Sequence, residues 1–504
     1  MKKLMGAVLA SALMFPVGSA NAAELLKNLK VSGSLDWQFN SGRNITDFSN
    51  DTNDRISNAG MRTMLHGDWD VLDDVHANVT LRKNDTQWGS GASGGQGAGT
   101  SQSVTAAGGV LGNTYFDRAN VTIDKLMGHF DTTVGRQWYG RPGDLIWYVG
   151  PRDTQNQDVQ SIDAVRVKTD NDWMTFDGVA GVMAGSVIGS GATTATVDAH
   201  TLIRGFEIGW KGLPVKVKTY VWNRVMQATN AGGVQPTAAS PGGKNDNLYV
   251  YGVKFRGEAA GGWFNLDLAK NAGECRDEAR SGALAGSTFC NAGSGASNYT
   301  GHAALLELGF NGDMANVGGI APWASFGWGS GRSDSRTRTN DTFQAIGSDW
   351  RPGLINRRFN TAGTSSSDVL SYRTVAGAAT NVHTNGLSNR VVWGLGTNFT
   401  PAALDQLTAG VQLWDFRLQR NDGATTVAGT SDPALGVQGT TGNKHIGTEL
   451  DLTANWRHSE NVSLSAGWAR FWTGGAIKEL NRTGTTPRGD SPATFVHTDI
   501  SIKF

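Results

Sequence analysis

Beyond residue 22 the chain has no apolar run of the roughly 18 residues that a membrane-spanning helix requires, so a helical membrane protein is excluded. It also has no net charge. With 44 basic and 44 acidic side chains, there is no electrostatic case for a nucleic-acid partner. Cysteine is reduced to Cys275 and Cys290, both in one Gly/Ser/Ala-rich stretch with no further Cys or His nearby. In an exported chain this pair is expected to form a loop disulfide rather than a metal site. The sequence holds no HExxH, no nucleophile elbow, no phosphate loop and no paired-cysteine motif, so neither an enzyme nor a cofactor is expected. Proline is scarce at 12, against 68 glycines and 17 tryptophans.

A neutral, Gly- and Trp-rich composition fits an all-β protein with an aromatic girdle. A β-helix or propeller would show a fixed repeat period, and none is present. The first residues read as a targeting segment. Lys2 and Lys3 precede an apolar region, Leu4–Val17, and Ala20-Asn21-Ala22 forms a cleavage site. Residues 1–22 are expected to be removed, leaving 23–504 as one exported domain.

That domain is written in period two. In Leu29–Asn40, Val31, Gly33, Leu35, Trp37 and Phe39 alternate with polar residues. Met61, Thr63, Leu65, Gly67 and Trp69 do the same before a tight turn at Val71–Asp74, and Val75, Ala77, Val79 and Leu81 follow it, which makes a hairpin. The last residues, Thr494–Phe504, alternate again, with Val496, Ile500, Ile502 and Phe504 on one phase and His497, Asp499 and Lys503 on the other. Between these ends the connections run long, short, long, short. An outer-membrane barrel requires this alternation, having short periplasmic turns, long external loops and an even strand number. The count is about 18, with 16 as the alternative. Lipid makes the same demand, because β-structure there must close on itself to satisfy its backbone. The expected fold is therefore a closed antiparallel transmembrane β-barrel with its terminal strand paired to Leu29–Asn40.

Trp37, Trp69, Trp138, Trp173, Trp210, Trp263, Trp393 and Trp456 lie near strand ends, where indoles favour the headgroup level, and a barrel reading leaves them no solid core. The polar phase supplies the candidate pore lining. Arg62, Arg82 and Arg118, on three consecutive strands, would form a basic ladder near the external mouth, with Lys216, Lys218 and Arg390 further round. Glu449, Asp451 and Asp499, together with Asp36, Asp267 and Glu307, would make a partly acidic wall opposite. His66 with Asp68, and His497 with Asp499, read as polar wall residues rather than catalytic pairs. The loop 330–388 is too long for a simple connection and carries Arg332, Arg336, Arg338, Arg351, Arg357 and Arg358, so it is expected to fold over or into the mouth.

The stretch Thr133–Gly140 (TVGRQWYG), continuing through Asp144–Trp147 to Ser161–Val167 (SIDAVRV), together with Gly447–Asn455 (GTELDLTAN), resembles the alginate-export family of outer-membrane porins. That resemblance implies an 18-stranded barrel with a charged, often basic lumen that passes anionic solutes or polysaccharide. This chain departs from the pattern in its overall neutrality and its lumenal acids. Arg136 also falls on the apolar phase of Phe130, Thr132 and Val134. Either a bulge turns it inward or it points outward near the headgroups.

The expected function is passive diffusion of small hydrophilic solutes, anionic ones among them, through a monomeric outer-membrane porin. The alternatives are a polysaccharide conduit, or a barrel sheath around a partner protein. The expected partners are outer-membrane lipid and lipopolysaccharide, small-molecule or oligosaccharide solutes, and the barrel-assembly machinery. Deleting Phe504 is expected to impair assembly more than conduction. Normal membrane levels of the truncated protein in cell fractions would count against that reading.

Overall fold

The computed structural model describes residues 28–45, 48, 50, 55–85, 114–152, 159–183, 201–226, 246–275, 297–331, 339–355, 386–420, 443–476 and 491–504. The expected targeting segment lies outside them. The strands are β1 (Leu29–Arg43), β2 (Ile56–Leu72), β3 (Val75–Asp85), β4 (Thr114–Leu126), β5 (Phe130–Gln137), β6 (Ile162–Asp170) and β7 (Met174–Met183). They continue as β8 (Thr201–Trp210), β9 (Lys216–Met226), β10 (Asp246–Ala259), β11 (Gly262–Cys275), β12 (Ser297–Tyr299), β13 (His302–Phe310) and β14 (Gly312–Met314). The last are β15 (Gly318–Gly329), β16 (Thr339–Asn340), β17 (Arg390–Pro401), β18 (Leu407–Leu418), β19 (His445–Arg457), β20 (Val462–Thr473) and β21 (Ala493–Lys503). β12, β14 and β16 are short additions, which leaves eighteen long staves.

Each stave pairs antiparallel with the next, and β1 closes on β21 from Ser34↔Lys503 to Arg43↔Thr494. The Ser501 hydroxyl donates to Asp36 across this seam at 2.6 Å, and the Gly33 and Phe504 backbones exchange hydrogen bonds at 2.8 and 3.0 Å. Closure gives each of the eighteen long staves a partner on both sides. One end of the barrel carries the tight connections, among them 73–74, 127–129 and 260–261, and the other carries the long ones. Strand limits move by a few residues from the alternation pattern: Pro214–Asn223 becomes Lys216–Met226, and Asn389–Asn398 becomes Arg390–Pro401.

The apolar phase faces out. Phe116, Val134, Val165, Leu308, Phe326, Leu395 and Leu452 are each exposed by 45–56%. A water-soluble domain does not display such a belt around its whole circumference. Hydrocarbon does not penalise it, and burial of the backbone ladder inside lipid requires it. Trp173 and Trp210, tilted together with centroids 6.3 Å apart, are exposed on this outer surface beside the tight turns.

The interior departs from the expectation of a barrel without a solid core. Two connections fold into the lumen. Residues 139–152 and 341–355 meet through a parallel bridge, Trp147↔Gly347, and backbone hydrogen bonds from Tyr148 to Gly347 (2.9 Å), Gly347 to Ile146 (2.9 Å) and Asp349 to Asp144 (2.8 Å). Their buried side chains, including Leu145, Ile146, Trp147, Phe343, Ile346 and Ile355, form one apolar cluster with inward residues of the staves such as Ile162, Ile203, Trp222 and Leu248. Tyr139 stacks on Trp147 at 4.5 Å, and Trp222 meets both edge-on at 5.2 and 4.7 Å.

The two faces of a stave thus answer to different solvents. Leu395→Arg on the outer face is expected to cost about 2–4 kcal/mol near the bilayer midplane, read as a lower urea midpoint for the protein folded in vesicles. Ser325→Thr on the inner face of the adjacent stave should leave that midpoint nearly unchanged.

Candidate functional site: a lumen narrowed by two latched loops

The sequence-predicted basic ladder faces the lumen, and each member of it meets a carboxylate. Arg62 Nε and Nη2 donate to Asp36 at 3.0 and 2.8 Å, and its Nη1 donates to the carbonyl of Arg152 at 2.9 Å. Arg82 Nε lies 2.6 Å from Asp117. Arg118 lies 3.4 Å from Asp68, donates to Thr80 at 2.8 Å and covers the Trp138 ring at 4.7 Å. A bulge makes the second of these pairs possible. Thr80 pairs with Arg118 but Leu81 pairs with Phe116, so Asp117 is an extra residue and both it and Arg118 turn inward. The basic wall is therefore a row of ion pairs, with little free positive charge.

Lys216 is exposed near the tight-turn end of β9, and Lys218 lies 3.2 Å from Glu207. Arg390 starts β17, and its Nη1 reaches the Asn389 carbonyl at 3.5 Å. Glu449 and Asp451 are fully buried on β19 under the tip of the second inward loop, where the Ile355 amide donates to Glu449 at 2.7 Å. Gly353 adopts φ 79° there, and a Cβ on it would come 2.8 Å from the Glu449 carboxyl. That position suits only glycine. Asp499 accepts hydrogen bonds from Ser465 at 3.1 Å and pairs with His497 at 2.7 Å. The serine faces the carboxylate and not the imidazole, so these three do not form a nucleophilic relay. Cys275 ends β11, and Cys290 lies outside the described residues. So do Arg332, Arg336, Arg338, Arg357 and Arg358.

Arg136 points outward. It is bound at both Nε and Nη2 to Asp163, at 2.8 and 2.7 Å, on the same outer phase of β5 and β6 near the long-connection end. Two tryptophans expected in the girdle are lumenal instead. Trp138 lies beneath Arg118 and edge-on to His66, and Trp263 lines the internal cavity with Asn265 and Glu307. Trp263 shares its phase with Asn265 and Asp267, and that phase already marked it as inward.

The latches that hold the loops were not anticipated. Lys254 on β10, with its side chain 8% exposed, lies 2.6 Å from Asp144 of the first loop, 3.7 Å from Glu207 and 3.8 Å from Asp267. Tyr220 donates to Asp267 at 2.8 Å and its ring lies against the ammonium at 5.2 Å. Asp349 of the second loop takes Arg152 at 2.8 Å and the Gly143 amide at 2.9 Å, which ties the loops together. Asn271 and Gln344 exchange hydrogen bonds at 2.8 and 2.9 Å, and Arg224 donates to Ala345. Between the loops and the tight-turn end lies a cavity of about 830 Å³ bordered by Arg141, Arg256, Glu307, Trp323, Gln412 and Asn455, among others. Among the described residues no group of His, Cys, Asp and Glu could hold a metal ion.

A closed eighteen-stave barrel with an apolar outer belt, a polar inner wall and two connections folded into its bore defines the class: this is the fold of the outer-membrane porins. Solved structures of that fold align along nearly the whole chain. Acinetobacter baumannii OccAB1 aligns at 9% identity over 95% of this chain and 98% of its own, with a TM-score of 0.52. Pseudomonas aeruginosa OccK5 (OpdH) gives 11%, 95%, 99% and 0.50, and the outer membrane protein OpdK of the same organism gives 9%, 94%, 99% and 0.50. At these identities the likeness is one of fold. No family model and no curated protein matches the sequence.

Burial pushes the Asp144 carboxyl up, but the Lys254 ammonium and the amides of Ile146 and Trp147 outweigh it and hold the group below the usual carboxylate range. A lowered value in the folded state stabilises the latch above the ordinary carboxyl range. That contribution is lost only as pH falls through the lowered value, so the latch holds at neutral and mildly acid pH. Lys254→Met leaves the Asp144 and Asp267 carboxylates without their cation, at a cost on the order of 3–5 kcal/mol. Limited proteolysis should then cut within 139–152 at neutral pH, while the unsubstituted protein stays protected there down to mildly acid pH.

Proposed function

We propose that this chain is a monomeric outer-membrane porin through which small hydrophilic solutes, anionic ones among them, diffuse passively. The observation that carries the reading is the narrowed bore. A barrel of this size would be wide open, yet residues 139–152 and 341–355 are fastened across it by Lys254–Asp144, Arg152–Asp349 and Ile355–Glu449, leaving a polar cavity of about 830 Å³. Charged rings and walls at such a narrowing set ion preference. The structures that align with this chain include an outer membrane protein, which supports the same placement in the cell. On this reading the outer belt sits in outer-membrane lipid and lipopolysaccharide, and the barrel-assembly machinery inserts it.

The loops argue against the two other readings. A polysaccharide conduit, which the alginate-export resemblance implies, and a sheath around a partner protein both need a wide, unobstructed lumen. In this barrel the bore holds an apolar cluster of its own.

The purified protein in a planar bilayer should conduct alone in potassium chloride. Because the arginines are paired, removing one partner exposes the other. Neutralising Asp36, Asp68 and Asp117 together should shift the reversal potential in a salt gradient toward anion preference, and neutralising Arg62, Arg82 and Arg118 should shift it toward cations. No conductance would defeat the porin reading, and identical reversal potentials would remove the ion pairs from its selectivity.

A further inference from the structure

Three indoles occupy one stretch of the lumenal wall, each lying over a glycine of a neighbouring stave. In the register Trp263 opposes Gly309, Gly309 opposes Trp323, Trp323 opposes Gly396, and Trp414 opposes Gly394. A Cβ on Gly309 would come 2.6 Å from the Trp263 ring, one on Gly396 2.6 Å from Trp323, and one on Gly394 2.3 Å from Trp414. The missing methyl groups let the rings lie down along the wall instead of standing into the bore. Trp323 and Trp414 are 5.1 Å apart at 43°, so the strip continues from one ring to the next. Trp414 is nearly buried and backs the strip. Trp263 and Trp323 are only half-buried and border the cavity.

The cavity these rings border is lined by amides and hydroxyls as well as by charged groups, Arg141, Arg256 and Arg351 among them. Asn265, Asn398, Gln412, Thr453 and Asn455 border the same cavity. Several of the charges nearby are engaged with protein partners. Asp144 is held by Lys254, Asp349 by Arg152, and Glu307 by hydrogen bonds from Trp350 and Asn265.

An indole presents a negative π face, which suits C–H groups and repels a carboxylate. Amides and hydroxyls around it supply both donors and acceptors. A pyranose ring has this complement, with a face of C–H groups and a rim of hydroxyls. Trp263 and Trp323 are two interstrand spacings apart, about 9–10 Å, a span that a disaccharide covers. We propose that this wall is a binding track for neutral sugars, with Trp263 and Trp323 as its stacking platforms and Asn265, Gln412 and Asn398 as hydroxyl partners. The proposal rests on the diffusion reading for its direction of travel, since it names the solute class that reading leaves open.

The test uses the full chain in a planar bilayer and in detergent. Conductance in potassium chloride is recorded first, and it judges the porin reading alone. Maltose is then added, with gluconate as the charged control. Reversible reduction of the current by millimolar maltose, and weaker reduction by gluconate, is the expected result. Trp323→Ala and Trp263→Ala should each weaken the maltose effect about tenfold, a loss of the size aromatic stacking supplies, and Trp323→Phe should recover part of it. Calorimetric titration of the detergent-solubilised protein with maltose gives the same comparison without conduction, so a non-conducting barrel that binds the sugar would separate the two readings. Each variant is first shown to keep the heat-modifiable mobility of a closed barrel. Blocking by gluconate as strong as by maltose, no maltose binding by calorimetry, or equal binding in the unsubstituted protein and Trp323→Ala would each overturn the proposal.

Discussion

A backbone amide left unpaired in hydrocarbon costs several kcal/mol, and the molecule is arranged to avoid that cost. The β1–β21 seam removes the last open edge and turns the sheet into a wall. Every other feature depends on that closure. It separates an outer surface, where Leu395 and Phe326 can stay exposed, from an inner one, where polar side chains such as Asp36, Glu449 and Asp499 are buried. It also creates an enclosed space, which the chain then partly fills with its own connections.

The filling follows the physics of a globular protein. Trp147, Phe343 and Ile346 pack against inward Trp222 and Leu248 as residues do in a soluble core. Several of the charged groups that border this cluster are paired and hydrogen-bonded. Lys254 sits among three carboxylates and Arg62 is held by two bonds to Asp36, because an unpaired charge there would be far more costly than the pair. The latches therefore rigidify the loops.

The staves were legible because lipid outside and water inside impose a strict period of two on each one. The seam was legible for the same reason. The lumenal plug was less so. Its signal was the unbroken apolar run Leu145–Val149 in what composition marks as a loop, a pattern that an exposed connection would not carry. The pairing of Arg82 with Asp117 could not be read from alternation at all, since it depends on a one-residue bulge in β4 that moves Asp117 onto the inner face. Arg136 shows the opposite case. Its phase left two orientations open, and the register decides for the outer face by revealing Asp163 as the partner that makes a cation tolerable there.

The glycines beneath Trp263, Trp323 and Trp414 also determine how thick the wall is. At these positions the barrel is one backbone plus one flat ring deep, and the free radius is set by atoms that are missing from the strands. A single methyl group added at position 309, 394 or 396 would push an indole toward the axis with no change in the number of staves. The calibre of this barrel is thus written in side chains as well as in strand count, and it can be retuned by the smallest substitution available.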